Sequence, residues 1–316
     1  MKSRDISLDN AKGLLILLVL FGHLAWPVPS VSESADTFYL FVYIFHMPMF
    51  ALVSGYLSRA EWSYRLLGKS VKRLLLPYGV FMAIQWGIML LQGKEPYSIT
   101  EGHFGLWFLF SLFCWRMVLP WLMRLPRPFV VSILLALACG MLPQLGLEFS
   151  LARTINFLPF FVAGHLMRSR GISPAYAVGR PAAIVFILLG VGAAVFIARY
   201  NLHMLLYGAF SYSAMGMPLS AGPLFRVLQL LLAFGVGLAV LSLIPNRISA
   251  LTRFGTQSLH IYLLHTPLLA LYRAWPAAYE AIGDAPLLML PMALVVCWVL
   301  SSDVVARVTR LLVQPL

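Results

Sequence analysis

The feature that most constrains this chain is a succession of apolar runs, each roughly twenty residues long, separated by short breaks that hold most of the charge. An apolar helix of about 20 residues is long enough to cross the hydrocarbon core of a bilayer. Only 11% of the 316 residues are charged and 61% are hydrophobic, whereas about 25% of the residues of a soluble domain are charged. We therefore predict an all-α integral membrane protein, and we exclude a soluble enzyme, a disordered chain and a secreted disulfide scaffold.

The apolar runs predict about ten transmembrane helices within a single domain that covers residues 1–316. A shorter stretch, 201–222, is interrupted by Gly, Pro and Ser, and we expect a folded loop or a re-entrant piece there instead of a crossing. The predicted spans are 12–29, 38–58, 73–92, 104–123, 129–146, 151–168, 181–200, 223–243, 254–273 and 285–306.

The formal net charge of +12 would suggest a nucleic-acid partner in a soluble protein. In a membrane protein, Lys and Arg instead concentrate in the cytoplasmic loops. With the N-terminus in the cytoplasm, most of the 23 basic residues lie on the cytoplasmic side, and both termini are cytoplasmic. The excess positive charge therefore reflects topology, and no nucleic-acid partner is predicted. The basic residues assigned to the outer side are Lys94, Arg153, Arg199, Arg226 and Arg273.

Three histidines fall well inside apolar runs, where an ionisable side chain must face protein or water. They are His23, His46 and His265, in the first, second and ninth spans. His23 follows Lys12 by eleven residues, about 16 Å along a helix and about three full turns, so the two share one helix face. Imidazole is the commonest general base in enzymes, and three rings at a similar depth favour a catalytic site. Structural hydrogen bonding between helices remains the alternative for each of them.

The ninth span adds a polar stripe to this set. Ser258 and His265 are seven residues apart and nearly eclipsed on a helix, and Tyr262 flanks them. No histidine belongs to an HxxxH pair and no intramembrane carboxylate lies beside them in the sequence. We therefore predict no metal site.

Lys69, Lys72 and Arg73 form a basic cluster between the second and third spans. We expect the three cations on one side of a helix that begins there, where they and the backbone N–H groups would suit a multiply phosphorylated ligand. Topological anchoring or contact with lipid headgroups is the alternative.

Arg116 and three tryptophans belong to the fourth span. Arg116 either extends to the cytoplasmic surface or faces a cavity as the partner of an anion. Trp107, Trp115 and Trp121 near the ends of this span are predicted to be interfacial.

These residues lie in stretches that resemble the membrane acyltransferase 3 family, in particular fucose 4-O-acetylases and exopolysaccharide O-acetyltransferases. The similar stretches recur in family order from the first span to the ninth. They are RDISLDNAKGLLILLVLFGHL (4–24), FHMPMFALVSGYL (45–57), KRLLLPY (72–78), LWFLFSLF (106–113), FLPFFVAGHLMR (157–168) and FGTQSLHIYLLHTPLL (254–269).

The resemblance implies ten membrane helices in a bacterial cytoplasmic membrane, with no SGNH-type extracytoplasmic domain in this chain. It implies acetyl-CoA as the donor on the cytoplasmic side and a hydroxyl of a carbohydrate or lipid-linked saccharide as the acceptor. The family's motifs fall on Lys12 and His23, on Lys69, Lys72 and Arg73, on His46, and on Ser258, Tyr262 and His265.

We therefore predict an acetyl-CoA-dependent O-acyltransferase. His23 would be the general base or a transient acetyl carrier, while His46 and His265, with Ser258 or Tyr262, would orient it or stabilise the oxyanion. The phosphates of CoA would bind Lys69, Lys72 and Arg73, with Lys12 and Arg116 as further cations. A transporter or flippase for a lipid-linked saccharide and a non-catalytic subunit of a polysaccharide-export assembly are the alternatives.

Overall fold

The computed structural model describes residues 5–25, 33–98, 105–146, 148–275 and 288–313, and the regular elements within these ranges are helices. In the first half of the chain a π-helical segment, Val71–Leu75, joins the third helix to the fourth without a break. The helices of this half are α1 (Ile6–Ala25), α2 (Glu33–Tyr56), α3 (Tyr64–Ser70), α4 (Leu76–Leu91), α5 (Trp107–Leu122), α6 (Pro128–Cys139), α7 (Leu151–Asn156) and α8 (Leu158–Ser169).

The second half contains three long helices and several short ones. Three-residue 3₁₀ turns occur at Pro143–Leu145, Glu148–Ser150 and Pro174–Tyr176. The helices are α9 (Arg180–Arg199), α10 (Met204–Tyr207), α11 (Gly222–Ser242), α12 (Ala250–Thr256), α13 (Ser258–Arg273), α14 (Met289–Leu300), α15 (Asp303–Val308) and α16 (Arg310–Val313).

Helices long and apolar enough to cross a membrane confirm the predicted class of helical membrane protein. Among the described residues there are five such segments, and shorter apolar helices accompany them at α5, α6 and α14. Each of the ten predicted spans overlaps a helix. The parts of those spans at 26–29, 104 and 285–287 lie outside the described residues. The five segments are Ile6–Ala25, Asp36–Tyr56, Tyr64–Leu91, Arg180–Arg199 and Gly222–Ser242.

Two predicted spans are each divided into two helices. The span 151–168 breaks at Phe157 between α7 and α8, where Pro159 in the first turn of α8 has no N–H to continue the hydrogen bonds of α7. The span 254–273 breaks at Gln257, whose ψ of 17° ends α12 before α13 begins. The stretch 201–222 contains only the four-residue α10 among turns, so the prediction that it is not a long crossing helix is confirmed.

Glycines allow α1 and α12 to pack backbone against backbone. A Cβ added to Gly13 would overlap the carbonyl oxygen of Leu251, and one added to Gly255 would overlap that of Asp9. Small residues at such crossings are typical of membrane helices, which associate mainly by close packing. This crossing makes α1 a central helix of the fold, and most of its residues are buried.

Asn10 fixes the start of α1 against the connection between α11 and α12. Its side chain is fully buried, and its Nδ2 donates to the carbonyls of Pro245 (2.7 Å) and Arg247 (2.9 Å). Its Oδ1 accepts from the hydroxyl of Thr252 at 2.6 Å. Because buried polar groups must be paired, these bonds hold α1, and therefore its far end, in one position.

Candidate active site

A small cavity lies at the end of α1, and two of the three predicted histidines line it. Its volume is about 40 Å³, which is enough for a few atoms. His23 comes from the last turn of α1 and His46 from the middle of α2. The remaining lining residues are supplied by α2, α5, α7, the α7–α8 junction and α10, namely Tyr43, Met47, Trp107, Arg153, Phe157, Leu206 and Tyr207.

The third histidine, His265, packs directly against His23. The two ring centroids are 5.2 Å apart, and His265 is completely buried without lining the cavity. The rings predicted to share one depth therefore do come together, but they are not equivalent. His23 and His46 can meet a substrate, whereas His265 can act only through His23.

A hydrogen bond from another helix fixes the backbone at His23. The structure describes α1 over Ile6–Ala25, and residues 26–29 of the predicted span lie outside the described residues. The carbonyl of His23, in the last described turn, accepts this hydrogen bond. Arg273 of α13 supplies the donor, with Nη2 at 2.7 Å from that oxygen. This bond joins the end of α1 to the helix that carries His265.

His46 and His265 occur in the same local arrangement, His-x-Pro within a helix. Nδ1 of His46 lies 2.9 Å from the carbonyl of Val42, and Nδ1 of His265 lies 3.1 Å from that of Ile261. A ring nitrogen bonded to a carbonyl must carry the proton, so this hydrogen-bond pattern assigns Nδ1–H to each neutral ring and leaves Nε2 as an acceptor. Nε2 of His265 is buried and has no hydrogen-bond partner among the described residues.

The proline of each arrangement removes a backbone donor from its helix, because proline has no N–H. Pro267 leaves the carbonyl of Leu263 without its usual helix bond, and the hydroxyl of Thr266 donates to that oxygen at 3.0 Å. Pro48 occupies the corresponding place in α2.

Tyr262 and Ser258 lie outside the cavity. Tyr262 is buried, its ring is 5.7 Å from that of His265, and its hydroxyl accepts the backbone N–H of Phe108 at 3.2 Å. Ser258 begins α13, about two turns before His265. Both residues therefore belong to the helix behind the histidines. Among the described residues, no group of three or more His, Cys, Asp or Glu is placed to hold a metal ion.

Arg153 is a cavity residue that the sequence reasoning missed. It was assigned to the outer side, but only 4% of it is exposed, and it lines the cavity with His23 and His46. Its guanidinium carbon lies 5.6 Å from the ring centroid of Trp107. The signal that identified the histidines was also present here, because Arg153 is an ionisable residue within a predicted apolar span.

Two of the tryptophans predicted to be interfacial are buried instead. Trp107 stacks on Phe157 with centroids 5.3 Å apart. Trp115 donates its indole N–H to the carbonyl of Thr154 at 2.7 Å. An indole has a single hydrogen-bond donor, so this one bond satisfies the only polar group of the buried side chain. Trp121 is half exposed, as predicted for an interfacial residue.

Two further cations assigned to the outer side also make contacts inside the protein. Arg226 is 1% exposed and donates to the carbonyl of Leu205 at 3.2 Å. Arg273 binds the end of α1, as described above. Three of the five basic residues assigned to the outer side, Arg153, Arg226 and Arg273, are therefore buried or bonded within the protein.

The basic cluster lies on a continuous helical stretch, and the prediction of a helix beginning there is wrong. The helix begins at Tyr64, where the hydroxyl of Ser63 accepts the N–H of Leu66 at 3.0 Å. The backbone at the cluster is bonded within the helix: the N–H of Val71 bonds to the carbonyls of Leu67 and Gly68. The exposed cations Lys69, Lys72 and Arg73 therefore offer side chains only.

The cluster coincides with the π-helical segment, which carries Lys72 and Arg73. Such segments are rare and occur frequently at functional sites. Helix α5 packs against the segment and brings half-buried Arg116 close enough to Arg73 for their like charges to interact. Because like charges repel, an anion near these two cations would be stabilised by both.

Lys12 has a counter-ion on its own helix. Its Nζ lies 2.7 Å from Oδ1 of Asp9, which is 6% exposed, while Lys12 is 21% exposed. The i, i+3 spacing places the two side chains together on α1. The positive charge of Lys12 is therefore partly neutralised by Asp9. In this respect Lys12 differs from the three exposed cations of the cluster.

Comparisons with known proteins point to one family of acyltransferases. The family model for an acyltransferase domain, Acyl_transf_3, matches residues 5–302. Nodulation protein NolL of Mesorhizobium japonicum is 37% identical over 128 residues, which are 35% of this chain and 34% of that protein. Nodulation protein NolL of Sinorhizobium fredii is 39% identical over 84 residues, 24% of this chain and 22% of that protein. The chain thus spans about a third or less of these curated relatives. No solved structure matches it significantly.

Proposed function

This chain belongs to the acyltransferase 3 family, and from that membership we propose that it is a membrane O-acetyltransferase. It moves an acetyl group from cytoplasmic acetyl-CoA to a hydroxyl of a cell-surface or lipid-linked carbohydrate. The observation that supports this best is the cavity that both His23 and His46 line, with the basic cluster near Arg116, further along the helix α5 that contributes Trp107 to the cavity.

Acetyl-CoA binds with its phosphates at Lys69, Lys72 and Arg73, and Arg116 completes the cation set. Helix α5 connects this cluster to the cavity, because it runs from Trp107 in the cavity wall to Arg116 beside Arg73. Nine residues separate the two, about 14 Å along a helix. The pantetheine arm lies along this helix and carries the thioester to His23.

His23 acts as the general base on the acceptor hydroxyl, or as a transient acetyl carrier. It lines the cavity and is half-buried, so it can meet both substrates. His265 is a positioning residue, since its acceptor Nε2 is buried beside the ring of His23. His46 also lines the cavity, and it orients the acceptor hydroxyl through Nε2, the ring nitrogen that is not bonded to Val42.

The acceptor approaches past tyrosines at the cavity. Tyr43 and Tyr207 both line it, with ring centroids 5.6 Å apart, and the hydroxyl of Tyr207 lies 3.3 Å from that of Tyr39. Aromatic faces with adjacent hydroxyls suit the apolar faces and hydroxyl groups of a sugar ring. Ten crossings, both termini in the cytoplasm and a bacterial cytoplasmic membrane complete the proposed topology.

A test is mass spectrometry of cell-surface glycans from cells with and without the protein. We expect loss of a substituent with the mass of one acetyl group when the gene is deleted, and its return when the gene is restored. Unchanged glycans would contradict the proposed acceptor class.

Thermal unfolding of the detergent-solubilised protein tests the donor. We expect acetyl-CoA to raise the unfolding temperature, because a ligand that binds only the folded state stabilises it. A transporter for the saccharide or a non-catalytic export subunit would show no stabilisation by acetyl-CoA.

A further inference from the structure

Arg153 carries a permanent positive charge into the cavity that His23 and His46 share. Only 4% of Arg153 is exposed, so its charge lies inside the protein, at the wall of this cavity. Of the described side chains that line the cavity, it alone is always charged. Its placement over the face of Trp107, 5.6 Å from the ring centroid, is a favourable cation–π geometry.

The short helix that carries Arg153 is firmly attached to its surroundings. The hydroxyl of the next residue, Thr154, forms a hydrogen bond of 2.6 Å with that of Ser111, and its carbonyl accepts the indole N–H of Trp115 at 2.7 Å. Asn156 at the end of the helix donates to the carbonyl of Gly208 at 2.8 Å. The backbone that carries Arg153 is thus fixed to α5 and to the residue after α10, and its guanidinium lies over the ring of Trp107.

Acetyl transfer develops negative charge close to this position. The acceptor oxygen forms a bond to the thioester carbonyl carbon, its proton passes to His23, and the carbonyl electron pair moves onto the oxygen. The oxyanion then collapses, the C–S bond breaks, and the CoA thiolate takes the proton from His23. Donors fixed in advance around such an oxyanion are usually the largest catalytic contribution.

We propose that Arg153 is a catalytic residue that donates N–H to the oxyanion of the tetrahedral intermediate and keeps its own proton throughout. This inference rests on the proposed acetyl transfer. It replaces His46 and His265 in the oxyanion role considered from the sequence, because Nδ1 of each neutral ring bonds to a carbonyl and Nε2 is then an acceptor.

The size of the cavity favours the oxyanion over an anionic group of the acceptor as the partner of Arg153. A cavity of about 40 Å³ is far below the roughly 300–1,000 Å³ of ordinary ligand pockets. A space of this size holds a few atoms, such as those of an acetyl group and the attacking oxygen.

The test compares Arg153→Gln and Arg153→Lys with wild type in nanodiscs. The donor is radiolabelled acetyl-CoA, and the acceptor is de-O-acetylated polysaccharide extracted from the source cells. Arg253→Gln is the matched control, because Arg253 also lies over an indole, 4.7 Å from the ring centroid of Trp298, but does not line the cavity. Rates are divided by the amount of folded protein, measured by size-exclusion chromatography.

We expect Arg153→Gln to lower kcat by about 10²–10³-fold, with KM values for donor and acceptor within about twofold of wild type. Arg153→Lys retains the charge, so it should lose less activity and should fold even if the Gln variant does not. Arg253→Gln should retain kcat.

Three results would overturn the assignment. One is a kcat for Arg153→Gln near that of wild type. The second is a raised KM for the polysaccharide at constant kcat, which would make Arg153 an acceptor-binding residue. The third is an equal loss in Arg153→Gln and Arg253→Gln. If the wild-type protein transfers no label at all, the proposed acetyltransferase function fails instead, so the two failures are distinguishable.

Discussion

The imidazole rings of His23 and His265 lie 5.2 Å apart, although they belong to the first and the thirteenth helix. One of these rings lines the cavity and the other is completely buried behind it. The pair therefore has the arrangement of a reactive group and a group that positions it.

The first prediction concerns this pair. His23→Ala and His23→Gln should each lower turnover of acetyl-CoA by about 10²–10⁴-fold, the range of a general base. His265→Gln should lower kcat less and leave the KM for acetyl-CoA unchanged, because His265 does not line the cavity. The measurement is transfer of radiolabelled acetyl groups by purified protein.

His165→Gln is the control, since His165 bonds to the carbonyl of Ser58 away from the cavity. Near-wild-type turnover by both His23 variants, with folding intact, would rule out the assignment.

The second prediction concerns the basic cluster. Replacing Lys69, Lys72 and Arg73 together by Gln should raise the KM for acetyl-CoA at least about tenfold, equivalent to about 1.4 kcal/mol, with a smaller effect on kcat. All three side chains are exposed, so the fold should tolerate the change. The matched control replaces three other exposed arginines, Arg170, Arg180 and Arg247. If the KM stays constant in the cluster variant, CoA binds elsewhere.

The third prediction concerns the ion pair of α1. Asp9→Asn alone and Lys12→Met alone should each destabilise the protein, because each leaves the partner charge partly buried. The double variant should be less destabilised than the sum of the two, with a coupling energy of about 0.5–3 kcal/mol. Thermal unfolding in detergent gives the three differences. Strict additivity would mean that the two side chains do not interact.

The fourth prediction concerns the crossing of α1 and α12. Gly13→Ala and Gly255→Ala should each destabilise the protein by about 1–3 kcal/mol, the usual cost of overpacking, because the added Cβ meets backbone that cannot move aside. Gly192→Ala in α9 is the control, since no atom lies within 4 Å of its added Cβ, and alanine favours a helix. Comparable unfolding temperatures for all three variants would contradict this close packing.

Much of the site could be found from the sequence because the bilayer makes buried polar residues conspicuous. His23, His46 and His265 stood out for that reason, and the structure brings them together at the same end of α1. Arg153 gives the same signal, but its position near the start of the predicted span 151–168 led to its assignment to the outer side. The Asp9–Lys12 pair was also readable from its i, i+3 spacing.

Other features of the site have no local signal. The π-helical segment at Val71–Leu75 arises within a run that reads as an ordinary helix. The approach of Arg116 to Arg73 depends on α5 packing against that segment. The burial of Trp107 and Trp115 follows from contacts with the 154–157 region, and neither side chain differs in type from an interfacial tryptophan.

The sequence by itself determined the class of the protein and the positions of its helices, because membrane insertion depends on apolar content summed over about twenty consecutive residues. It also identified the polar residues within apolar spans, whose burial costs free energy unless they face protein or water. Only the tertiary structure decided which of them share a cavity. That arrangement depends on helix crossings such as Gly13 against Leu251 and on hydrogen bonds such as that from Arg273 to His23. These residues are far apart in the chain, and the periodicity of the sequence does not indicate which distant residue each one contacts.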